Sequence, residues 1–288
     1  MQYKCPVCNS DSYRLKSVYA GFSRGFTGKS VVECKGCDFL SIFPLPIEEE
    51  LNAYYNSYWE SRGGIENKMP LFKAQAQARF EFLAPFIPKD LTLKVLDVGA
   101  GLGFFYDALF GNLNRREISY NVVEPDSSAI DILKSRIKGV NVLPESEGLK
   151  EKFHLILLSH LLEHVRDPLE FISGFKDKLC NGSLIFVEVP NQDYLFKAKN
   201  EPHLSFFEPK TLSRLIEEAG FRVIKMDTCG VRLSDLVSRK TPKSFKQDFF
   251  GRAFRKVQDK INAGLRNSAG INQVFEYGPE RRWICLCG

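Results

Sequence analysis

Val95-Leu96-Asp97-Val98-Gly99-Ala100-Gly101-Leu102-Gly103-Phe104-Phe105 decides the reading of this chain. An apolar, β-branched strand ends in an acid, passes through three glycines at alternating positions, and runs into a helix. Glycines there bring backbone N–H groups and a helix N-terminus close to a small ligand. Asp97 adds a fixed acceptor at the strand end. A second strand, Ile118-Ser119-Tyr120-Asn121-Val122-Val123, leads to Glu124, spaced to grip the hydroxyls of a ribose. A nucleoside-containing cofactor is expected here, and Gly99-x-Gly101-x-Gly103 is not the G-x-G-x-x-G spacing of dinucleotide sites.

Working outward, strands are predicted at 93–98, 118–124, 140–143, 153–159 and 182–189, and helices at 103–113, 126–138, 167–180 and 209–220. Short apolar strands alternating with helices predict an α/β fold, a doubly wound and mostly parallel sheet covered on both faces. Two more strands are expected at 221–226 and 282–286. Upstream, 1–45 is β-like and cysteine-paired, closing at Pro44-Leu45-Pro46. A helix follows from Ile47 to about Glu60, then a Gly63-Gly64 break and a helix from about Pro70 to Phe86. This divides the chain into a module at 1–46, a helical linker or lid at 47–90, and a main domain at 91–288.

Hydrophobic content of 44% and charged content of 26% are ordinary for a soluble globular protein. No window approaches the ~20 apolar residues of a membrane span, and Met1-Gln2-Tyr3-Lys4-Cys5 has no apolar signal region, so a cytoplasmic location is expected. The net charge of +5 is too small to imply nucleic-acid binding by itself. It is unevenly placed: Val231–Arg266 carries ten Lys/Arg against three Asp/Glu, leaving the remainder at −2.

Cys5-Pro6-Val7-Cys8 and Cys34-Lys35-Gly36-Cys37 form two C-x-x-C pairs separated by 25 residues. Four thiolates with no spare position make the closed tetrahedral site that structural zinc prefers. A segment of about 45 residues lacks the core to fold unaided, which gives the metal a folding role.

Downstream, strand four, Phe153–Leu158, runs into Ser159-His160-Leu161-Leu162-Glu163-His164-Val165-Arg166-Asp167-Pro168, and strand five ends in Glu188-Val189-Pro190-Asn191. With Pro202-His203-Leu204-Ser205-Phe206-Phe207-Glu208-Pro209-Lys210-Thr211-Leu212 and Ala219-Gly220-Phe221, the chain resembles class I S-adenosylmethionine-dependent methyltransferases, most closely a small-molecule branch, over about 93–228. The resemblance implies a seven-stranded sheet whose last strand is antiparallel. It also implies that Asp97, Gly99, Ala100 and Gly101 cradle the methionine part and ribose of the cofactor, with Phe104 in the same set. Glu124 would bind the ribose hydroxyls, Pro125 would sit beside the adenine, and Ser159 and His160 would line the pocket. Some sugar methyltransferases, including C-methyltransferases of nucleotide-linked deoxysugars, also carry a zinc-ribbon-like CPxC…CxxC module before the catalytic domain.

Methyl transfer is an in-line displacement that needs two positioned reactants and, for many acceptors, a base. Among four histidines, His154 lies within a strand and reads as structural. His203 is the first candidate base and His164 the second, the latter also readable as a pocket wall. In the sugar C-methyltransferases an HEHLSYF stretch carries the proposed base; here Glu201 and Pro202 replace its first histidine and glutamate. O-methylation of a sugar hydroxyl is therefore as well supported as C-methylation, in polysaccharide or secondary-metabolite assembly. The acceptor is expected to be a small molecule, such as a nucleotide-linked sugar or a glycan.

Tyr54, Tyr55, Tyr58 and Trp59 read either as a lid or as packing. Cys285 and Cys287 alternate along a strand and read as core. A basic helix at about 243–263 within an insertion at 231–275 reads as docked on the domain, as a diphosphate contact, or as a contact with an anionic membrane surface. Two competing functions are a ribosomal-RNA base methyltransferase with a zinc module, and a degenerate binding protein. The Ser159-His160-Leu161-Leu162 text and the low overall charge disfavour the first. The intact Asp97, Glu124 and glycine loop disfavour the second.

Overall fold

The computed structural model describes residues 2–55, 69–87, 92–113, 117–143, 149–195, 199–229 and 282–287. The strands are β1 (Tyr13–Val18), β2 (Ser30–Cys34), β3 (Leu40–Phe43), β4 (Leu93–Val98), β5 (Ile118–Val123), β6 (Asn141–Leu143), β7 (Phe153–Ser159), β8 (Leu179–Pro190), β9 (Ser205–Phe206), β10 (Val223–Cys229) and β11 (Arg282–Cys287). The helices are α1 (Glu48–Tyr55), α2 (Met69–Leu83), α3 (Phe104–Leu113), α4 (Ser127–Arg136), α5 (Pro168–Ser173) and α6 (Pro209–Glu218).

The main sheet runs β10-β11-β8-β7-β4-β5-β6, with β8 to β6 parallel and β11 antiparallel to both neighbours. Its apolar strands alternate between two cores, as a strand period of two requires when both faces are covered. Val95, Leu155, Leu157 and Phe186 pack against α2, α3 and α4. Leu96, Val98, Ile156, Leu158 and Val187 face the other way, against α5, α6 and the cysteine segment. The expected doubly wound, seven-stranded sheet is present, with its antiparallel last strand.

One element differs from expectation. The helix expected over 167–180 stops at Ser173. Asp167 caps its start by accepting from Glu170 N at 2.9 Å, with Pro168 in the first turn. Gly174 is an unfavourable residue to continue through. A single 3₁₀ turn at Lys176–Lys178 follows, and β8 then begins at Leu179, paired with Phe153.

Gly103, at φ +71°, opens α3. A Cβ there would lie 2.5 Å from Leu133 Cδ2 and 2.8 Å from Ile137 Cδ1, so the loop needs glycine for close helix packing as well as for its backbone. Gly103→Ala is expected to cost about 3 kcal/mol, from a left-handed backbone at ~1–2 kcal/mol and overpacking at ~1–3 kcal/mol. Urea unfolding with an unchanged slope and an earlier midpoint is the readout.

The first strands form a second sheet, β1-β2-β3-β9, whose last member comes from the main domain. β3 pairs with β9 through Leu40↔Phe206 and Ser41↔Ser205. Tyr3, Cys5, Val7, Phe39, Phe207 and Leu212 share one core. Tyr58, Trp59, Gly63-Gly64 and the 231–275 insertion with its basic helix lie outside the described residues, as do the side chains of Cys285 and Cys287.

Candidate active site

The glycine loop joins the C-terminal end of β4 to α3, at the edge where parallel sheets bind ligands. Gly99, Gly101 and Gly103 all take positive φ. A Cβ on Gly99 would come within 3.3 Å of Leu161 Cδ1, so the bare backbone leaves a cradle open beside that residue. Asp97 is buried and accepts a hydrogen bond from the Tyr120 hydroxyl. Burial pushes its carboxyl up to about 6, against the opposing hydrogen bond from Tyr120.

Glu124 follows β5. Its Oε2 accepts from Gly101 N at 2.8 Å and its Oε1 from Asp126 N at 3.1 Å. An ionised carboxylate has about four lone-pair sites. Two amides therefore leave one site on each oxygen, a match for a vicinal diol. Burial raises Glu124 to about 7 despite those two amide bonds. These residues fit the ribose and amino-acid ends of S-adenosylmethionine. Pro125 beside Glu124 is exposed. Phe104 stacks on Phe72 at 5.6 Å and lies under the Arg136 guanidinium at 4.5 Å, so its ring is packed between helices.

Beyond β7 the chain gathers its histidines. Ser159 ends the strand, half-buried. His160, at φ +55°, donates its N–H to Glu188 O at 2.7 Å. Its ring lies between two buried carboxylates, Glu163 at 3.3 Å and Glu188 at 3.5 Å. The Glu163 carboxyl stays below the usual range, because His164 and His160 outweigh the desolvation that pushes it up. His164 Nε2 is 3.7 Å from the same Glu163 oxygen, and burial drives its pKa down to about 3. His203 packs edge-to-face on His164 at 4.9 Å between ring centroids, and its Nδ1 is 2.8 Å from Asp193 Oδ2. Tyr55 also packs edge-to-face with His164 at 6.0 Å, whereas Tyr54 packs on Phe26 at 5.1 Å. His154 accepts from Lys94 N at 3.0 Å, a structural role within the sheet.

Three partners were not singled out from the sequence. Arg79 of α2 pairs with Glu188, Asp193 faces His203, and Tyr120 holds Asp97. A carboxylate at the end of the apolar run Leu184–Val187 was a visible signal for Glu188. Arg79 and Asp193 become neighbours of the site only through folding.

The four paired cysteines converge, with Cys5 and Cys37 Sγ 3.5 Å apart, Cys8 and Cys34 Sγ 3.5 Å apart, and all four within 4.8 Å. Ligands at ~2.3 Å around a tetrahedral zinc stand ~3.8 Å apart. The two knuckles share one design. Asn9 N donates to Cys5 O at 2.9 Å and Asp38 N to Cys34 O at 3.0 Å, each donor residue at a positive φ near +60°. Gly36 N points at Cys34 Sγ at 3.3 Å. The cluster has the donors and the spacing to hold zinc.

The sequence of residues 69–226 matches the family described as a methyltransferase domain. The chain belongs to that family. Residues 69–226 are thus a methyltransferase domain. The Dictyostelium discoideum protein described as probable polyketide synthase 42 is 24% identical over 181 residues, which is 51% of this chain and 7% of that relative. The chain thus spans only a small part of this curated relative. Among solved structures, a SAM-dependent methyltransferase from Archaeoglobus fulgidus is 21% identical, with 75% of this chain and 94% of that chain covered at a TM-score of 0.47. A chain from the Haloferax volcanii complex between the Trm112 methyltransferase activator and a proposed methyltransferase is 11% identical, with 80% and 94% covered and a TM-score of 0.53. No helix among the described residues is long and apolar enough to cross a membrane.

Proposed function

We propose that this methyltransferase acts on a hydroxyl, or an acidic carbon, of a sugar or similarly polar small molecule, in polysaccharide or secondary-metabolite assembly. The observation that supports this most is the buried Asp193–His203 contact at 2.8 Å. A carboxylate that holds one ring nitrogen protonated leaves the other free as a base. In this reading 1–46 is a zinc-binding module, 47–90 the linker over the site, and 91–288 the catalytic domain. Asp97, Gly99, Ala100, Gly101, Glu124, Ser159 and His160 form the cofactor side.

S-adenosylmethionine supplies an electrophilic methyl group when bound. Glu124 orients the ribose, and the glycine loop, whose Gly99, Gly101 and Gly103 amides already donate to Val123 O, Glu124 and Ala100 O, offers the amino-acid end a close approach to bare backbone. His203 Nε2 takes the acceptor proton as the new bond to carbon forms. His164, held neutral by its burial, is a weak base at pH 7, so it packs His203 in place. Arg79 balances Glu188 behind His160. Transfer of labelled methyl groups to a panel of nucleotide sugars, glycans and RNA tests the reading. Label is expected in a nucleotide sugar or glycan, and salt-sensitive label in RNA alone would overturn it.

A further inference from the structure

We propose that the four-cysteine module is the positioning element for His203, and that Leu204, Glu201 and Asn200 transmit its metal-held shape to the acceptor side of the site. This rests on the reading of His203 as the base.

The hairpin that carries Cys34 and Cys37 joins β2 to β3, and β3 is the strand on which β9 is laid. The peptides of residue 204 bridge the two halves. Ile42 N in β3 donates to Leu204 O at 2.9 Å, and Leu204 N donates to Glu163 O at 2.6 Å. One residue after His203 is therefore fastened to the module on one side and to the histidine turn on the other.

A second clasp precedes His203. Glu201 is buried and accepts from Phe22 N at 2.6 Å, Ser23 N at 2.9 Å and Ser23 Oγ at 2.7 Å, and it pairs with Lys199 at 2.6 Å. Asn200 exchanges two bonds with Ala20, Ala20 N to Oδ1 at 2.9 Å and Asn200 N to Ala20 O at 2.8 Å. His203 N then donates to Asn200 O at 3.0 Å. Phe207 fills the space beside Phe39 of the knuckle, 5.6 Å between rings. So 200–207 is held from the module side by the β1–β2 loop and β3, and from the main domain by residue 163, by Gln192 N donating to Phe207 O at 2.9 Å and by the Asp193–His203 contact. The ribose carboxylate Glu124, by contrast, is held from the β4–α3 glycine loop by Gly101 N and from its own loop by the N-cap residue Asp126.

The roles separate accordingly. Loss of metal frees the knuckle, then β3, then 200–207, while the β4–β5 side keeps its bonds. The test uses the full chain, isolated with its metal and then stripped with a thiol-directed mercurial plus chelator. Amide exchange in peptides over 199–207 is expected to rise about tenfold to a hundredfold, the scale for losing bonds to a charged group. S-adenosylmethionine affinity should stay within about twofold and turnover should fall about tenfold or more. Unchanged exchange at 199–207 would overturn the proposal.

If stripping unfolds the whole chain, Glu201→Ala with the metal retained decides. The same local loosening and a lower kcat are expected at unchanged cofactor affinity, with Glu201→Asp recovering part of both. A Glu201→Ala protein with native exchange and native kcat would refute the coupling. His203→Ala separates the two readings. Should it turn over normally while metal removal still loosens 199–207, the base assignment falls and the coupling stands.

Discussion

Glu124→Ala is expected to weaken S-adenosylmethionine binding about a hundredfold to ten-thousandfold. Two ribose hydroxyls donating to an ionised carboxylate are each worth ~1.5–3 kcal/mol, and both are lost together. The loss should depend on pH. Burial raises Glu124 to about 7 and Asp97 to about 6 in the unliganded chain. A carboxyl whose folded pKa is raised contributes stability that is complete below its unfolded value near 4 and lost as pH rises through the folded value. Hydroxyl donors favour the ionised form, so binding releases a proton below about pH 7. Affinity in the native chain should therefore climb between about pH 5.5 and 7.5 and then level. In Glu124→Ala the climb shrinks to the part contributed by Asp97. Calorimetric titration across that range measures both, and a dissociation constant within twofold of native at pH 8 would remove Glu124 from the ribose site.

Much of that half of the site was legible in the sequence, because local chemistry fixes it. Three alternating glycines after an acid-ended strand specify a left-handed loop in a way few other residues permit. A strand of similar length ending in Glu124 places its carboxylate at the same sheet edge, where it meets Gly101 N. The paired cysteines were legible for the same reason, since each C-x-x-C turn is local. The mostly parallel sheet followed from uninterrupted apolar runs separated by helices.

What the sequence obscured is long-range. The cysteine segment reads as a self-contained unit up to Pro46, yet its sheet takes a strand from residues 205–206. A two-residue strand has no periodicity to detect. Glu201 read as a departure from a motif; in the fold it gathers donors from residues 22 and 23, over 170 residues away in sequence. Helix α5 ended early because Gly174 and the pull of β8 outweigh a helical pattern through residue 180. Each difference is tertiary context overriding a local signal. Two of the three, residues 205–206 and Glu201, flank His203, so the acceptor half of the site is the half that the sequence specified least.

His203→Ala is expected to lower kcat about a hundredfold to ten-thousandfold, the usual contribution of a positioned general base, with S-adenosylmethionine affinity unchanged. An alcohol at neutral pH holds its proton until the new carbon–oxygen bond is well advanced. The nitrogen that receives that proton must be aimed at the acceptor and kept free itself. In the proposed reading Asp193, whose Oδ2 lies 2.8 Å from Nδ1, would favour the proton on that nitrogen and so leave Nε2 to accept. Asp193→Asn should then fall between the native chain and His203→Ala, because the ring remains but its tautomer is no longer enforced. His164→Ala should cost less than His203→Ala: with its pKa pushed down to about 3 by burial, His164 is a poor proton acceptor near pH 7, and what it supplies is the surface that His203 rests on. The ordering His203→Ala below Asp193→Asn below native, measured as single-turnover methyl transfer, distinguishes a base from a buried packing residue. Packing alone predicts losses that follow the volume removed, so the isosteric Asp193→Asn would turn over like the native chain and cofactor affinity would fall alongside turnover in His203→Ala.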